Sequence, residues 1–467
     1  MSAVTRLVSN TGVLLLSVAL LFGAPTPGLS QDPYRFPDDV VPPQLAGFPE
    51  RPPMLLELGD KFYDVGELPY GVSPWKGTYW QPALWVYGNL LAAGQGQTLG
   101  GSTQIGTAQV RDRLDLFMNL RLSGTERVFV GFRPLDSGGM TGFDLVRNGE
   151  TVQGDRFVND GLSMKPVIYF VEGDIAELFQ FLDYEDMRPY DIGFSVGRQN
   201  LYFQEGLLVN DIMDVVGLAF NGLSLGGMSN LRISAVWGFG DVNHGGTKDA
   251  DLAGLFMEAD WNGALVDLDI AYVDGGDATG SGLVAGFSTV QQMGFWNTAF
   301  RIAASTALDE GAAGSPGTSD GVILFNELSR KDGASDNLIY FNHFFAYDTF
   351  SPASTQPPGP LGRIGLLFGG SPLGAYVPAL GAPVASNEVG AALGYQVIQP
   401  AERRQFVFEA AARRGLFNGN SSSSLGAGVR VQQAFSNRYV LQSDLFVSHR
   451  NTDGAHIGGR FGILVKM

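Results

Sequence analysis

The chain of 467 residues contains no cysteine and only four histidines. Without thiols there can be no disulfide, no thiolate metal site, no cysteine nucleophile and no c-type haem attached to this chain, and such a composition suits a protein that crosses an oxidising periplasm. Positive charge is scarce: 30 Lys and Arg stand against 47 Asp and Glu, a formal net charge of -17. That balance excludes the basic surface a nucleic-acid partner requires. Beyond the N-terminal stretch there is no apolar run of about 18 residues, so no transmembrane helix is expected. A Gly-x-Ser-x-Gly elbow and a His-Glu-x-x-His pair are also missing. His449 and His456 flank the connector RNTDGA near Asp453, but loop histidines without a nucleophile do not make a catalytic site, and no enzyme is expected. The Asp/Gly loops DVNHGGTKDAD and DGGDATGSG lack the full spacing of a calcium loop, so neither a metal nor another cofactor is expected.

What is present begins with an export signal. Arg6 supplies a positive start, Val13 to Phe22 an apolar stretch, and Gly28 and Ser30 the small residues that precede a cleavage point before Gln31. Residues 1–30 therefore read as a cleavable signal peptide. With no Cys after it, a lipoprotein anchor is excluded. Residues 31–75 are rich in Pro and acidic side chains and read as an extended arm or plug. The rest, 76–467, reads as one domain.

The stretch EADWNGALVDLDIAY, Glu258 to Tyr272, indicates what kind. Asn262-Gly263 is a strong signal for a two-residue hairpin turn, since both central residues need positive φ. Side chains then alternate between faces. Met257, Ala259, Trp261, Val266, Leu268, Ile270 and Tyr272 share one face, and Glu258, Asp260, Asp267 and Asp269 share the other, with Glu258 across from Asp267. An oily face opposite a carboxylate face fits a wall with lipid on one side and water on the other, because unpaired carboxylates are prohibitive in hydrocarbon. The same alternation runs through RLDLFMNLRLS and a dozen further segments of about nine to twelve residues, the length a tilted strand needs to cross a bilayer. Short turns at 123–125, 173–174, 262–263 and 436–437 contrast with long Gly/Ser/Pro/Asp loops near 91–110, 136–162, 240–252, 274–293, 306–320, 349–386 and 416–423. Trp75, Trp80, Trp237, Trp261, Tyr272, Trp296, Tyr347 and Tyr439 gather near strand ends, as in an aromatic girdle.

The expected fold is thus all-β: a transmembrane antiparallel up-and-down β-barrel of 18 strands, with 16 as the alternative, having short periplasmic turns and long extracellular loops. A barrel this wide leaves a lumen that charged side chains and inward loops tune. The expected lining and selectivity residues are Arg121, Arg133, Arg198, Gln199, Glu205, Glu258, Asp260, Asp267, Asp269, Arg413 and Arg430. The expected function is an outer-membrane porin for passive diffusion of small hydrophilic solutes, with a cation preference from the acidic hairpin.

The segment FSVGRQNLYFQEGL, Phe194 to Leu207, followed by LVNDIMDVVGLAF, resembles porins of the alginate-export type. That resemblance implies an 18-stranded barrel passing anionic sugars or other small solutes through an Arg-lined constriction, with Arg198 and Gln199 at the lumen wall and Glu205 and Asp211 close by. The family's Gly-Asp-Gly is here Gln204-Glu205-Gly206, and the acidic chain does not suit an anionic polysaccharide. The implied partners are outer-membrane lipid of a Gram-negative cell, the barrel-assembly machinery and small solutes. A periplasmic partner docked through residues 31–75 is the further expectation. The alternative functions are a barrel sheathing a partner such as a multihaem cytochrome, and an outer-membrane enzyme.

Overall fold

The computed structural model describes residues 52–59, 71–73, 80–135, 141–151, 163–179, 191–312, 317–356, 359–369, 378–400 and 403–467. Residues 1–30, read above as an export signal, Trp75, Tyr79 and most of the arm expected at 31–75 lie outside the described residues.

Strand after strand pairs antiparallel with its successor until the ring closes. The first stave, Ala83–Thr98, pairs on one edge with the second, Ile105–Arg121, and on the other with the last, Gly454–Lys466. The third stave comes in two parts, Arg127–Phe132 and Thr141–Arg147, both lying along Ile105–Arg121. Taken as one, they bring the barrel to 18 staves, an even number as single-chain bacterial barrels require. No helix among the described residues is long and apolar enough to cross a membrane. Closure leaves no open sheet edge, the condition under which strands can cross hydrocarbon. The arm contributes one short piece: Leu56–Leu58 pairs antiparallel with Leu84–Val86, along the edge of the first stave that the last stave leaves uncovered below Lys466.

The acidic hairpin forms as its residues dictate. Asn262 and Gly263 have φ of 51° and 80°, and Trp261 faces Ala264, Met257 faces Leu268 and Glu258 faces Asp267. Leu255, Trp261, Leu268, Ile270 and Tyr272 are exposed on the outer face, while Phe256, Asp269, Ala271 and Val273 are buried on the inner one. The alternation continues around the wall, where Trp237, Leu393, Phe408, Leu445, Ile457 and Phe461 all present to the outside.

Several connectors differ from the sequence reading. The loops expected at 91–110, 240–252 and 274–293 are mostly strand: Thr98 and Ile105 end two staves, Gly245-Gly246 alone joins His244 to Thr247, and Ser281–Met293 is the tenth stave. These segments read as loops because their inward positions carry Gly, Ser and Gln, small or polar side chains that face water or make room for inserted chain. Gly173-Asp174 is the end of Pro166–Asp174 rather than a turn, and a helical turn, Ile175–Leu178, follows it. Asp174 caps that turn by accepting from the Ala176 and Glu177 amides at 2.7 and 3.3 Å. The segment near 363–368 belongs to the inward loop described next.

Candidate pore constriction

Among the described residues, two pieces of chain leave the wall and enter the barrel. The first is the tip of the hairpin between Asp191–Phe203 and Val209–Leu225; its Leu207 and Leu208 are fully buried. The wall accommodates it at Gly286, where a Cβ would come 2.6 Å from Leu208 Cδ1. The second is the loop between Thr349 and Ser386. Its Phe350, Ala353, Leu361, Ile364, Leu367 and Phe368 form one buried cluster with wall residues such as Phe256, Ile323, Phe325 and Phe344. Burial of these side chains is what holds the loop inward, at roughly 1.5–3 kcal/mol for each large one. The two pieces also pair with each other, Ser354 and Thr355 lying parallel to Val209 and Asn210.

Polar clamps fix the position of the loop. Asp211, fully buried, accepts from the Asn243 amide at 2.8 Å, Asn243 Nδ2 at 2.6 Å, Ser354 Oγ at 2.5 Å and Gln356 Nε2 at 2.8 Å. Glu409, on the opposite flank, accepts from the Leu366 and Leu367 amides, both at 2.8 Å, and from the Tyr340 hydroxyl at 2.6 Å. Further on, Arg450 donates to the Pro378 carbonyl at 2.7 Å and Arg413 to the Val384 carbonyl at 2.8 Å. Buried carboxylates and loop carbonyls are costly unless satisfied, so each clamp specifies one loop position.

Where the two inserted pieces meet, four charges alternate. Arg301, only 2% exposed, lies 3.1 Å from Glu205 and also pairs with Glu327. Arg363, from the helical turn Pro360–Arg363, pairs with Glu205, lies 3.4 Å from Glu327, and donates to the Glu205 carbonyl at 2.8 Å. Glu205 was foreseen. Arg363 and Glu327 were not: Arg363 sits in a Pro/Gly loop without periodicity. The available signal was its isolation, as it is the sole Lys or Arg between Lys331 and Arg403.

The remaining expected residues divide between two walls. Glu258, Asp260, Asp267 and Asp269 stand together on the inner face of the eighth and ninth staves. Asn230 donates to Asp260 at 2.7 Å, Ser288 to Asp267 at 2.5 Å and the Met257 amide to Asp269 at 3.1 Å; Glu258 lies across from Arg232 as well as from Asp267. Half the circumference away are the sixteenth, seventeenth and eighteenth staves. There Asp444 is shared by Arg430 at 2.7 Å and Arg460 at 2.6 Å. The same two-to-one arrangement recurs nearby: Asp115 lies between Arg113 at 2.9 Å and Arg133 at 2.8 Å, and Asp144 between Arg111 and Arg147. Arg413 pairs with Glu388 at 2.5 Å, and the Arg121 guanidinium lies 5.2 Å from the centre of the Trp85 ring. Gln199 shares the inner phase of its strand and accepts from Ser195 Oγ at 2.8 Å. Arg198 is placed apart from this set. It is in phase with the exposed, outward Val196, opposite Tyr169, and pairs with Asp241 at 2.5 Å and Asp214 at 3.6 Å.

No family model matches this sequence, and neither does any curated protein. Solved structures do. A BenF-like porin from Pseudomonas fluorescens Pf-5 superposes with a TM-score of 0.52 at 10% identity, covering 82% of this chain and 98% of that one. Pseudomonas aeruginosa OccK2 (OpdF) gives 0.51 at 10% identity, covering 82% and 97%. Pseudomonas aeruginosa OccK9 (OpdG) gives 0.51 at 13% identity, covering 82% and 98%. At these identities the likeness establishes the fold alone, a closed antiparallel β-barrel of 18 strands such as those porins have.

Proposed function

We propose that this protein is an outer-membrane channel for passive diffusion of small hydrophilic solutes, exported by the signal at 1–30 and inserted by the barrel-assembly machinery. The observation that carries the reading is the inward loop clamped by Asp211 and Glu409. It narrows a wide barrel at one level and presents a charged ring there, as a selective pore does. An electron-conduit sheath needs its lumen free for a partner, and the buried loop cluster fills part of it.

Within this reading, the acidic hairpin and the Arg-Asp-Arg triads opposite it set ion preference, with the carboxylates less fully neutralised and cations favoured on that side. The solute proposed is not an anionic polysaccharide such as alginate-export porins pass, because it would meet a wall bearing four carboxylates. Liposome swelling with solutes of graded size, alongside planar-bilayer recordings, tests the proposal. Size-dependent swelling and discrete conductance steps are expected. A folded, inserted barrel that passes neither ions nor sugars would overturn it.

A further inference from the structure

The lipid-facing wall carries a polar pair midway between its rims. It belongs to the twelfth stave, Gly321–Lys331, and the thirteenth, Leu338–Thr349. Ile323, Phe325, Phe344 and Ala346 face inward there, buried against the inserted loop. The alternate positions face out. Asn326 is paired with His343 as the third of five outward pairs, which run from Arg330–Ile339 to Val322–Tyr347. Leu328–Phe341 lies on one side of it and Leu324–Phe345 on the other. The rims are marked by Tyr347 and by Trp296, over whose ring the Arg330 guanidinium lies at 4.8 Å.

Both polar side chains are half-buried, and no hydrogen bond from the described residues reaches either. Asn326 Oδ1 and His343 Nδ1 are enclosed by the chain itself without a partner, while Asn326 Nδ2 and His343 Nε2 are left open to the outside. Amide and imidazole groups at mid-membrane depth are costly unless something supplies donors and acceptors, and lipid tails supply neither. The wall beside them is shallow: Ala391 lies across from His343, and Ala412 across from Ala391. Small side chains let a second membrane-embedded wall come close.

We infer that this face pairs with a second copy of the chain in the membrane, whatever the channel carries. A two-fold axis along the membrane normal, running between Asn326 and His343, sets Asn326 of each copy against His343 of the other at nearly one depth. The two groups are complementary. With its proton on Nδ1, a neutral imidazole accepts at Nε2, and Asn326 Nδ2 donates to it. The symmetry makes that bond twice. Leu324, Leu328, Phe341 and Phe345 close an apolar rim around the polar centre, the arrangement in which a few central contacts carry most of the affinity.

The test counts copies in phosphatidylcholine vesicles. The chain has no cysteine, so Ser102→Cys, in an exposed loop, takes a single fluorophore on the full mature protein. Most spots should bleach in two steps. His343→Leu and Asn326→Leu should each raise the protein-to-lipid ratio at which half the barrels pair by about tenfold. Val171→Ala, exposed on the fourth stave at the opposite side of the ring, should leave that ratio unchanged. Heat-modifiable gel mobility reports that each variant is folded. Single-step bleaching at every ratio means that lipid alone covers the face and overturns the pairing. Three-step bleaching overturns it too, as does a dimer indifferent to both leucine variants.

Discussion

Arg363 reaches from the inward loop to the backbone carbonyl of Glu205 at 2.8 Å, joining residues 158 apart in sequence. The contact fastens two insertions from different parts of the wall, and Arg301 and Glu327 complete the ring of charge around it. Replacing Arg363 by Ala leaves Glu205 with Arg301 alone and removes a tether. Single-channel conductance should rise roughly twofold and the solute exclusion limit should increase. Unchanged conductance would show that the quartet lies off the conduction path.

Asp211 carries the strongest single clamp. Substituting Ala strands the Asn243 amide and Gln356 Nε2 inside the barrel and leaves Ser354 Oγ with the Asn243 carbonyl alone. A loss of about 3–5 kcal/mol in loop anchoring is expected, the usual cost of removing one partner of a buried charged network. Limited proteolysis should then cut within 350–385 while the barrel keeps its heat-modifiable mobility.

Neutralising Glu258, Asp260, Asp267 and Asp269 to their amides keeps the side-chain volumes and removes the negative wall. Reversal potentials in a salt gradient should shift toward anion preference, and the shift should shrink at high salt. A reversal potential that does not move would remove the acidic hairpin from the selectivity machinery.

At the short-turn rim, Thr125 Oγ1 lies 3.0 Å from Glu126 and 2.8 Å from Glu177. One hydroxyl proton cannot serve two carboxylates. Burial, reinforced by the carboxylates of Glu177 and Asp174, raises the Glu126 carboxyl above its ordinary range, against the Thr125 hydrogen bond. A raised folded-state value means a contribution to stability that is present at low pH and lost as pH rises through it. Glu126→Gln should therefore raise the gel-mobility melting temperature at about pH 8 more than at about pH 5. An equal change at both would place the burden elsewhere.

The barrel was legible because alternation is a strong signal where one face meets lipid. Asn262-Gly263 announced its turn, and the Glu258–Asp267 register followed by counting. Legibility failed where inner positions carry small residues. Ser281–Met293 looked like a loop because Gly286 and Ser288 leave room and hydrogen-bonding capacity for the inserted hairpin tip and for Asp267. Arg198 shows a different limit. A one-residue phase decides which face a side chain takes, and the expected place of Arg198 at the lumen wall missed that phase. Arg363 was beyond reach because an irregular loop has no period, and only the buried apolar run around it brings it to Glu205.

The pairing of Asn89 with Lys466 has a kinetic consequence. The seam of the cylinder joins the two most distant staves of the chain, and Leu56–Leu58 occupies the remaining length of the same edge. Every other junction can zip between neighbours, but this one must wait for nearly the whole polypeptide. Sealing is therefore the slow, late event of biogenesis, and an unsealed intermediate exposes a sticky strand margin until it is done.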